Sequence, residues 1–427
     1  MSGSQSAESE AMGRGQEQHA SRFAANRPRP YLFFGAGFIV MSVIADWGVW
    51  PVSTATRIAI ALFGIAAIVI SPRGVISRAS VAWPLILFLS WCVISRLWDA
   101  NPQLFTNEVI RFVPDAIVLM LIGGVLPTDY ALNWLRRAFY GVAIFTLGWT
   151  LTHGSSSGNG TVLVAESTPG WQGTFVHKNS MAVMMVTVVA LVMGYEDRRS
   201  VRNTMLACLG VLLVGSQSVT GLVGTVAVIA SALWVRWYLR SPRLYRRSFV
   251  LLSLFLVGTA VALASASLSV ITRLLGKDPT LSGRTKIWSA SLWAIRRNPF
   301  KGYGIGGVWL DPSRAPTIEM DRRIGFIAGH AHNGLFDLLL QLGLVGLVLF
   351  TAVAVPVFSR GWRLMEQMKP LGVVIVLVLN ATLVMATSES LLLGPPLFLI
   401  CLLYGLASRA LREGQIVEHY EREARIL

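Results

Sequence analysis

The chain has 427 residues, 54% of them apolar and only 14% charged, with a formal net charge of +15. Soluble domains carry roughly 25% charged residues, so an ordinary soluble enzyme is excluded. The positive charge is spread between apolar blocks, which also excludes a nucleic-acid-binding or disordered polycation.

Residues 1–29 are polar, without an apolar core, and read as a disordered cytoplasmic tail. No apolar stretch near Met1 suggests a cleavable signal peptide, so the first span is expected to act as the insertion signal. Apolar runs follow at about 31–49, 56–72, 79–97, 109–126, 134–152, 179–195, 203–217, 218–238, 247–270, 333–358, 370–387 and 390–407. Each approaches the roughly 20 residues needed to cross a bilayer as a helix. The expected fold is an all-α polytopic membrane protein of about twelve transmembrane helices. The seventh and eighth are separated only by Gly215-Ser-Gln-Ser218, so eleven is the other count. Cys92, Cys208 and Cys401 lie inside these runs and read as small core residues.

Arginine recurs in alternate loops, at Arg73, Arg136, Arg137, Arg198, Arg199, Arg202, Arg236 to Arg247, Arg360, Arg363 and Arg409. The positive-inside trend makes those loops and both termini cytoplasmic. The layout is then helices one to nine over 30–270, a large outward loop at 271–332, helices ten to twelve over 333–407 and a cytoplasmic tail at 408–427 that could form a short charged helix.

Two outward loops are long. The first, about 153–178, ends in Gly173-Thr-Phe-Val-His177-Lys178-Asn179. The second carries ten basic residues and four acidic ones, against the inside-positive trend. A solvated surface is the plain reading. An anion site is the sharper one, because arginine matches phosphate oxygens with paired donors. Residues 283–297 look helical, with Arg284 and Lys286 in the first turn and Trp288 and Trp293 suited to headgroup level. Asn298-Pro299 ends that helix. Gly302-Tyr-Gly304-Ile-Gly306-Gly307 lacks the strand-turn-helix setting of a dinucleotide loop and reads as a tight turn.

The loop closes on Gly329-His330-Ala331-His332-Asn333. Two histidines at i and i+2 suggest metal, but no cysteine and no convincing carboxylate set lies nearby in sequence. A helix cap is a second reading. A general base, taking a proton from an attacking hydroxyl, is the third and preferred one. Nine residues after Asn333, Gly343-Leu-Val-Gly346 would let the helix approach a neighbour closely.

The string His332-Asn-x9-Gly-x-x-Gly346 resembles the superfamily of bacterial O-antigen ligases and Wzy-type polysaccharide polymerases. Supporting strings are those at 173–179, Gly215-Ser-Gln-Ser-Val-Thr-Gly221, Ser282-Gly-Arg-Thr-Lys-Ile-Trp288 and Asn298-Pro-Phe-Lys-Gly-Tyr-Gly304, with the His-Lys-Asn and Ser-Gln-Ser strings closer to exopolysaccharide polymerases. The resemblance implies a GT-C-like glycosyltransferase that needs no metal or other cofactor. Its donor would be a glycan on undecaprenyl pyrophosphate at the outer face of the bacterial inner membrane. Its acceptor would be a sugar hydroxyl on a second lipid-linked repeat or on lipid A-core. Export or chain-length regulator proteins are further partners of that setting.

By the same resemblance, His332 deprotonates or orients the acceptor and Arg284 neutralises the leaving pyrophosphate. His177, Lys178, Asn179, Lys286, Arg296, Arg297, His330 and Asn333 are substrate-binding candidates. Where the family often has Arg or Lys after the Ser-x-Ser string, this chain has Val219, and Lys178, Arg296 and Arg297 are the substitutes. Among acids near apolar runs, Asp46 stands with Asp115, which would pair with Arg111 at i−4. Glu389 would face the acceptor cavity or simply lie at the interface. Trp47, Trp50, Trp149 and Trp171 read as interface anchors, Trp171 also as a sugar platform. A transporter is the rival from another class, but its polar groups would cluster at the midplane.

Overall fold

A computed structural model describes residues 30–47, 54–70, 83–99, 102–153, 170–248, 250–252, 283–309 and 316–426. Every element of regular structure among them is a helix: α1 Pro30–Asp46, α2 Thr54–Ile70, α3 Trp83–Ile94, α4 Pro102–Val125, α5 Thr128–His153, α6 Lys178–Tyr195, α7 Arg199–Ser216, α8 Val219–Arg240, α9 Arg284–Arg297, α10 Thr317–Ile324, α11 Gly334–Glu366, α12 Pro370–Ala386 and α13 Pro395–Ile426. Helices thus occupy eleven of the twelve expected spans. Most of the ninth, like the tail at 1–29 and Trp50, lies outside the described residues. By length and composition α6, α8 and α11 suffice to cross a membrane; α1, α2, α3, α12 and the apolar part of α4 (Val113–Val125) are shorter apolar helices. The 408–427 segment is no separate surface helix: α13 runs unbroken from Pro395 to Ile426.

Apolar runs become helices here because a backbone in hydrocarbon must satisfy its own hydrogen bonds. The outward faces stay apolar: Val214, Leu222, Val226 and Val348 are each more than half exposed. A lipid surround suits such a surface, whereas water would penalise it. α6 is the opposite case. From Met181 to Val192 every residue is buried, and α6 is flanked by α8 and α12. The α7–α8 junction, which left the count open, is a true break. Gln217 turns left-handed (φ 51°), and the Ser218 hydroxyl caps α8 by accepting from Gly221 N at 3.2 Å.

α11 is broken. Gly343 adopts φ 65°, ψ −167°, which interrupts the helical ladder. The freed groups pair with the 299–304 loop: Leu344 N donates to Pro299 O (2.8 Å), Val345 N to Phe300 O (3.1 Å), Tyr303 N to Leu340 O (2.8 Å) and Gly304 N to Gln341 O (2.9 Å). Irregular backbone at membrane depth is tolerated only where protein satisfies it in this way. The Gly343 motif and the Asn298–Gly304 motif are therefore two halves of one joint. The expected close approach of the helix occurs, but it is made by loop backbone. A Cβ on Gly343 would lie 2.2 Å from Phe300 O. Gly343→Ala should therefore cost roughly 2–4 kcal/mol through clash and a left-handed φ. Thermal unfolding in detergent would show this as a lowered Tm, and an unchanged Tm would refute the joint.

One aromatic residue is placed otherwise than expected. Trp47 is buried edge-on against Phe139 (5.5 Å), not an interface anchor. Trp149 stacks on His153 at 3.9 Å. Asp115 stands 4.0 Å from Arg57 of α2; the side chains of Arg111, its expected partner, and of Asp46 lie outside the described set.

Candidate active site

The motifs read separately from the sequence converge on one carboxylate. Glu389 lies in the turn between α12 and α13 and is 7% exposed. Asn179, in the first turn of α6, donates Nδ2 to Glu389 Oε1 at 2.6 Å. Asn179 Oδ1 in turn accepts from the Ser218 hydroxyl at 2.8 Å. Thr220, in the first turn of α8, donates to the same Glu389 oxygen at 3.4 Å and touches the Ser388 hydroxyl at 3.1 Å. Arg284, the first residue of α9, brings Nη2 to 3.6 Å from Oε1. His332 Nδ1 stands 3.7 Å from Oε2, an ion-pair distance beyond hydrogen-bond reach, and makes no hydrogen bond of its own.

The His330–Asn333 turn is held from several sides. Asp337, one turn into α11, accepts the Ala331 amide on both oxygens (3.3 Å each) and the Trp309 indole at 2.6 Å. Trp288 donates its indole N–H to Ala331 O at 3.1 Å. Trp288 thus fastens the histidine turn instead of serving only at headgroup level. Asn333 caps α11, its Oδ1 accepting from Leu335 N and Phe336 N at 3.1 Å. The cap of this helix is therefore the asparagine and not a histidine. His332 itself is left-handed (φ 48°). A bulky residue in that region carries strain, and such strain concentrates where a side chain must be aimed.

His330 Nδ1 accepts from His332 N (3.2 Å) and faces the Ser390 hydroxyl (3.4 Å). Burial, then the neighbouring His332, pull its pKa down to about 4. It is neutral at pH 7, with the proton on Nε2. Burial disfavours the ionised Glu389, but His332, His330 and Arg284 outweigh it and hold its pKa below the ordinary value. The cluster is thus an ionised carboxylate between two imidazoles and a guanidinium.

The His330 value carries a stability consequence. Folded His330 stays neutral down to about pH 4, whereas an unfolded one protonates near 6.5. Between those values the unfolded chain binds the extra proton, so stability falls as pH drops through that window. His330→Asn should flatten the fall of Tm between pH 6.5 and 4. Parallel slopes in both proteins would remove His330 as the cause.

Lys286, Arg296 and Arg297 are not brought in. Lys286 is exposed, two residues and therefore about 200° around α9 from Arg284. Arg296 and Arg297 are exposed at the far end of that 14-residue helix, about 20 Å away. Arg297 instead stacks on Trp293, as does Arg323, both at 4.2 Å. His177 caps α6, its Nδ1 accepting from Asn179 N at 3.1 Å. Lys178 is half-buried at the start of α6, and Val219 is 56% exposed. Trp171 is half-buried and packed on Gly215, its amide bonded to Gly215 O at 2.8 Å.

The lack of a carboxylate near the histidines in sequence does not by itself exclude a metal, because the fold brings one to them. His330, His332 and Glu389 each present one ligand atom, all within 4.8 Å of one another. However, Asn179 and Arg284 already hold Oε1, and His330 Nδ1 is already engaged. A guanidinium at 3.6 Å also opposes a divalent cation.

Residues 204–351 match the O-antigen ligase family. The superfamily read from the motifs is the one that comparison returns. The chain is also 25% identical, over 337 residues, to the exopolysaccharide production protein ExoQ of Rhizobium meliloti (strain 1021), covering 76% of this chain and 72% of that protein. Over residues 204–351 the chain is thus O-antigen ligase-like, and its apolar helices suit a multi-pass membrane protein. The family match includes Arg284, His330 and His332 but stops short of Glu389 and begins after Asn179. Glu389 is the site residue that motif reading underrated. An acid flanked by serines between two apolar runs was its only signal.

Proposed function

We propose that this chain transfers a glycan from undecaprenyl pyrophosphate to a sugar hydroxyl, building surface or exopolysaccharide repeats at the outer face of the inner membrane. The observation that carries the reading is the convergence of His332 and Arg284 on Glu389. The acceptor oxygen attacks the anomeric carbon of the donor, and the bond from that carbon to the pyrophosphate oxygen breaks. The electron pair leaves on the pyrophosphate, and the hydroxyl proton goes to His332. Glu389 stabilises the imidazolium that forms, and Arg284 opposes the charge growing on the leaving group, a term that is usually large. Lys178, one residue from Asn179, is the second cation proposed for the pyrophosphate. The arginine-rich linkers stand at the other ends of α6, α8 and α11 from Glu389, which suits a cytoplasmic location for them and for both termini.

The test is the purified protein with a lipid-pyrophosphate-linked oligosaccharide as sole substrate, with and without chelator. A chelator-insensitive ladder of multiples is the expected result. Transfer only after lipid A-core is added would make the protein a ligase, a reading that the O-antigen ligase match favours. Absence of both would overturn the proposal.

A further inference from the structure

A second polar feature lies at the far end of the same helices. α8 begins beside Glu389 and runs 22 residues, about 33 Å, to Arg240. There a cavity of about 510 Å³ opens between the end of α8, the turn that follows and the end of α11. Arg243, Arg246, Arg247, Tyr238 and Val250 line it, with Glu366 of α11.

Its charges are arranged. Arg246 lies over the Tyr238 ring (5.1 Å) and donates to Leu239 O (3.1 Å) and Ser241 O (3.3 Å), so it is fixed at the wall. The Glu366 carboxylate, which would repel an anion, is engaged by the Tyr238 hydroxyl at 2.6 Å. Arg243 and Arg247 are exposed and make no ion pair with a described residue. Three guanidinium groups against one occupied carboxylate leave a net positive cavity.

Its rim is apolar. Trp237, Leu244, Tyr245, Leu251 and Leu252 are 57–81% exposed, interleaved with the arginines. Water alone would disfavour that surface, whereas a bilayer boundary favours it. Behind it, Trp234, Tyr238 and Trp362 form a rigid aromatic wall, with Trp234 and Tyr238 stacked at 5.2 Å.

We propose that this cavity binds the phosphate of an anionic phospholipid, with the acyl chains lying along the exposed apolar rim. Arginine pairs with phosphate oxygens through two parallel donors. Basic clusters just beyond a membrane helix attract anionic headgroups. The site is remote from the glycan-transfer cluster and does not depend on its chemistry.

The test titrates full-length protein in detergent with phosphatidylglycerol or phosphatidylcholine and counts bound lipid by native mass spectrometry. Wild type should prefer phosphatidylglycerol by about tenfold or more. Arg243→Gln/Arg247→Gln, which leaves the wall residue Arg246 in place, should bring the ratio near one, while Arg322→Gln on α10 should leave it unchanged. No preference in wild type, or a preference that survives in the double variant, would overturn the proposal. So would millimolar glycerol phosphate displacing the lipid, since that would mark a site for a soluble phosphate ester. Failure to displace it is the result expected.

Discussion

His332→Ala should lower the rate of glycan transfer by about 10²–10⁴, the range that general acid–base catalysis usually contributes, while leaving the folded protein intact. The turn that carries His332 is fixed by backbone and neighbours: Asp337 and Trp288 hold Ala331, and Asn333 caps α11. None of these contacts uses the His332 ring. Nδ1 of that ring makes no hydrogen bond and has only the Glu389 carboxylate at 3.7 Å. Removing the ring therefore removes a chemical group and its 3.9 Å contact with the His330 ring, and leaves the backbone scaffold. Transfer kinetics alongside thermal unfolding would separate the two effects. A variant that folds and transfers at the wild-type rate would end the assignment of the base.

Glu389→Gln should cost about as much in rate, roughly tenfold to a thousandfold, without collapse of the fold. A glutamine oxygen still accepts from Asn179, so the relay from Ser218 through Asn179 survives. What is lost is the negative charge that faces His332 and Arg284. Without it, a protonated His332 has no partner as the acceptor is deprotonated, and Arg284 is no longer anchored. The loss should fall on kcat more than on KM, because the charge matters most as the imidazolium forms. A purely structural Glu389 would instead lower Tm, with kcat per folded molecule unchanged.

Much of the architecture was legible because membrane helices are written as apolar runs bounded by polar residues, and α9, Arg284–Arg297 with Asn298 as its cap, lies within one residue of the 283–297 its sequence implies. What could not be read was pairing across distance. The Gly343 break is invisible in an apolar run, since its cause is the 299–304 loop some 40 residues earlier. Arg57 and Asp115, 4.0 Å apart on different helices, illustrate the same limit.

The site was legible in parts. His332 and Arg284 stood in recognisable strings. Asn179 stood in another, as a ligand candidate, and its role is to tie α6 to Glu389. Lys286, Arg296 and Arg297 were plausible from charge alone, but helix geometry turns or carries them away. Glu389 was visible only as an isolated acid. Its partners come from α6, α8, α9 and the turn before α11, and no local spacing encodes that meeting.

The account rests on Glu389 and His332 working as one unit, and a double-mutant cycle measures that directly. Single-turnover transfer from a labelled lipid-pyrophosphate-linked glycan would be compared for wild type, His332→Ala, Glu389→Gln and the double variant. The prediction is that adding Glu389→Gln to His332→Ala slows transfer far less than it slows the wild type, because the carboxylate then has only Arg284 left to hold. Losses that multiply, each change slowing transfer by its full factor in the presence of the other, would contradict it.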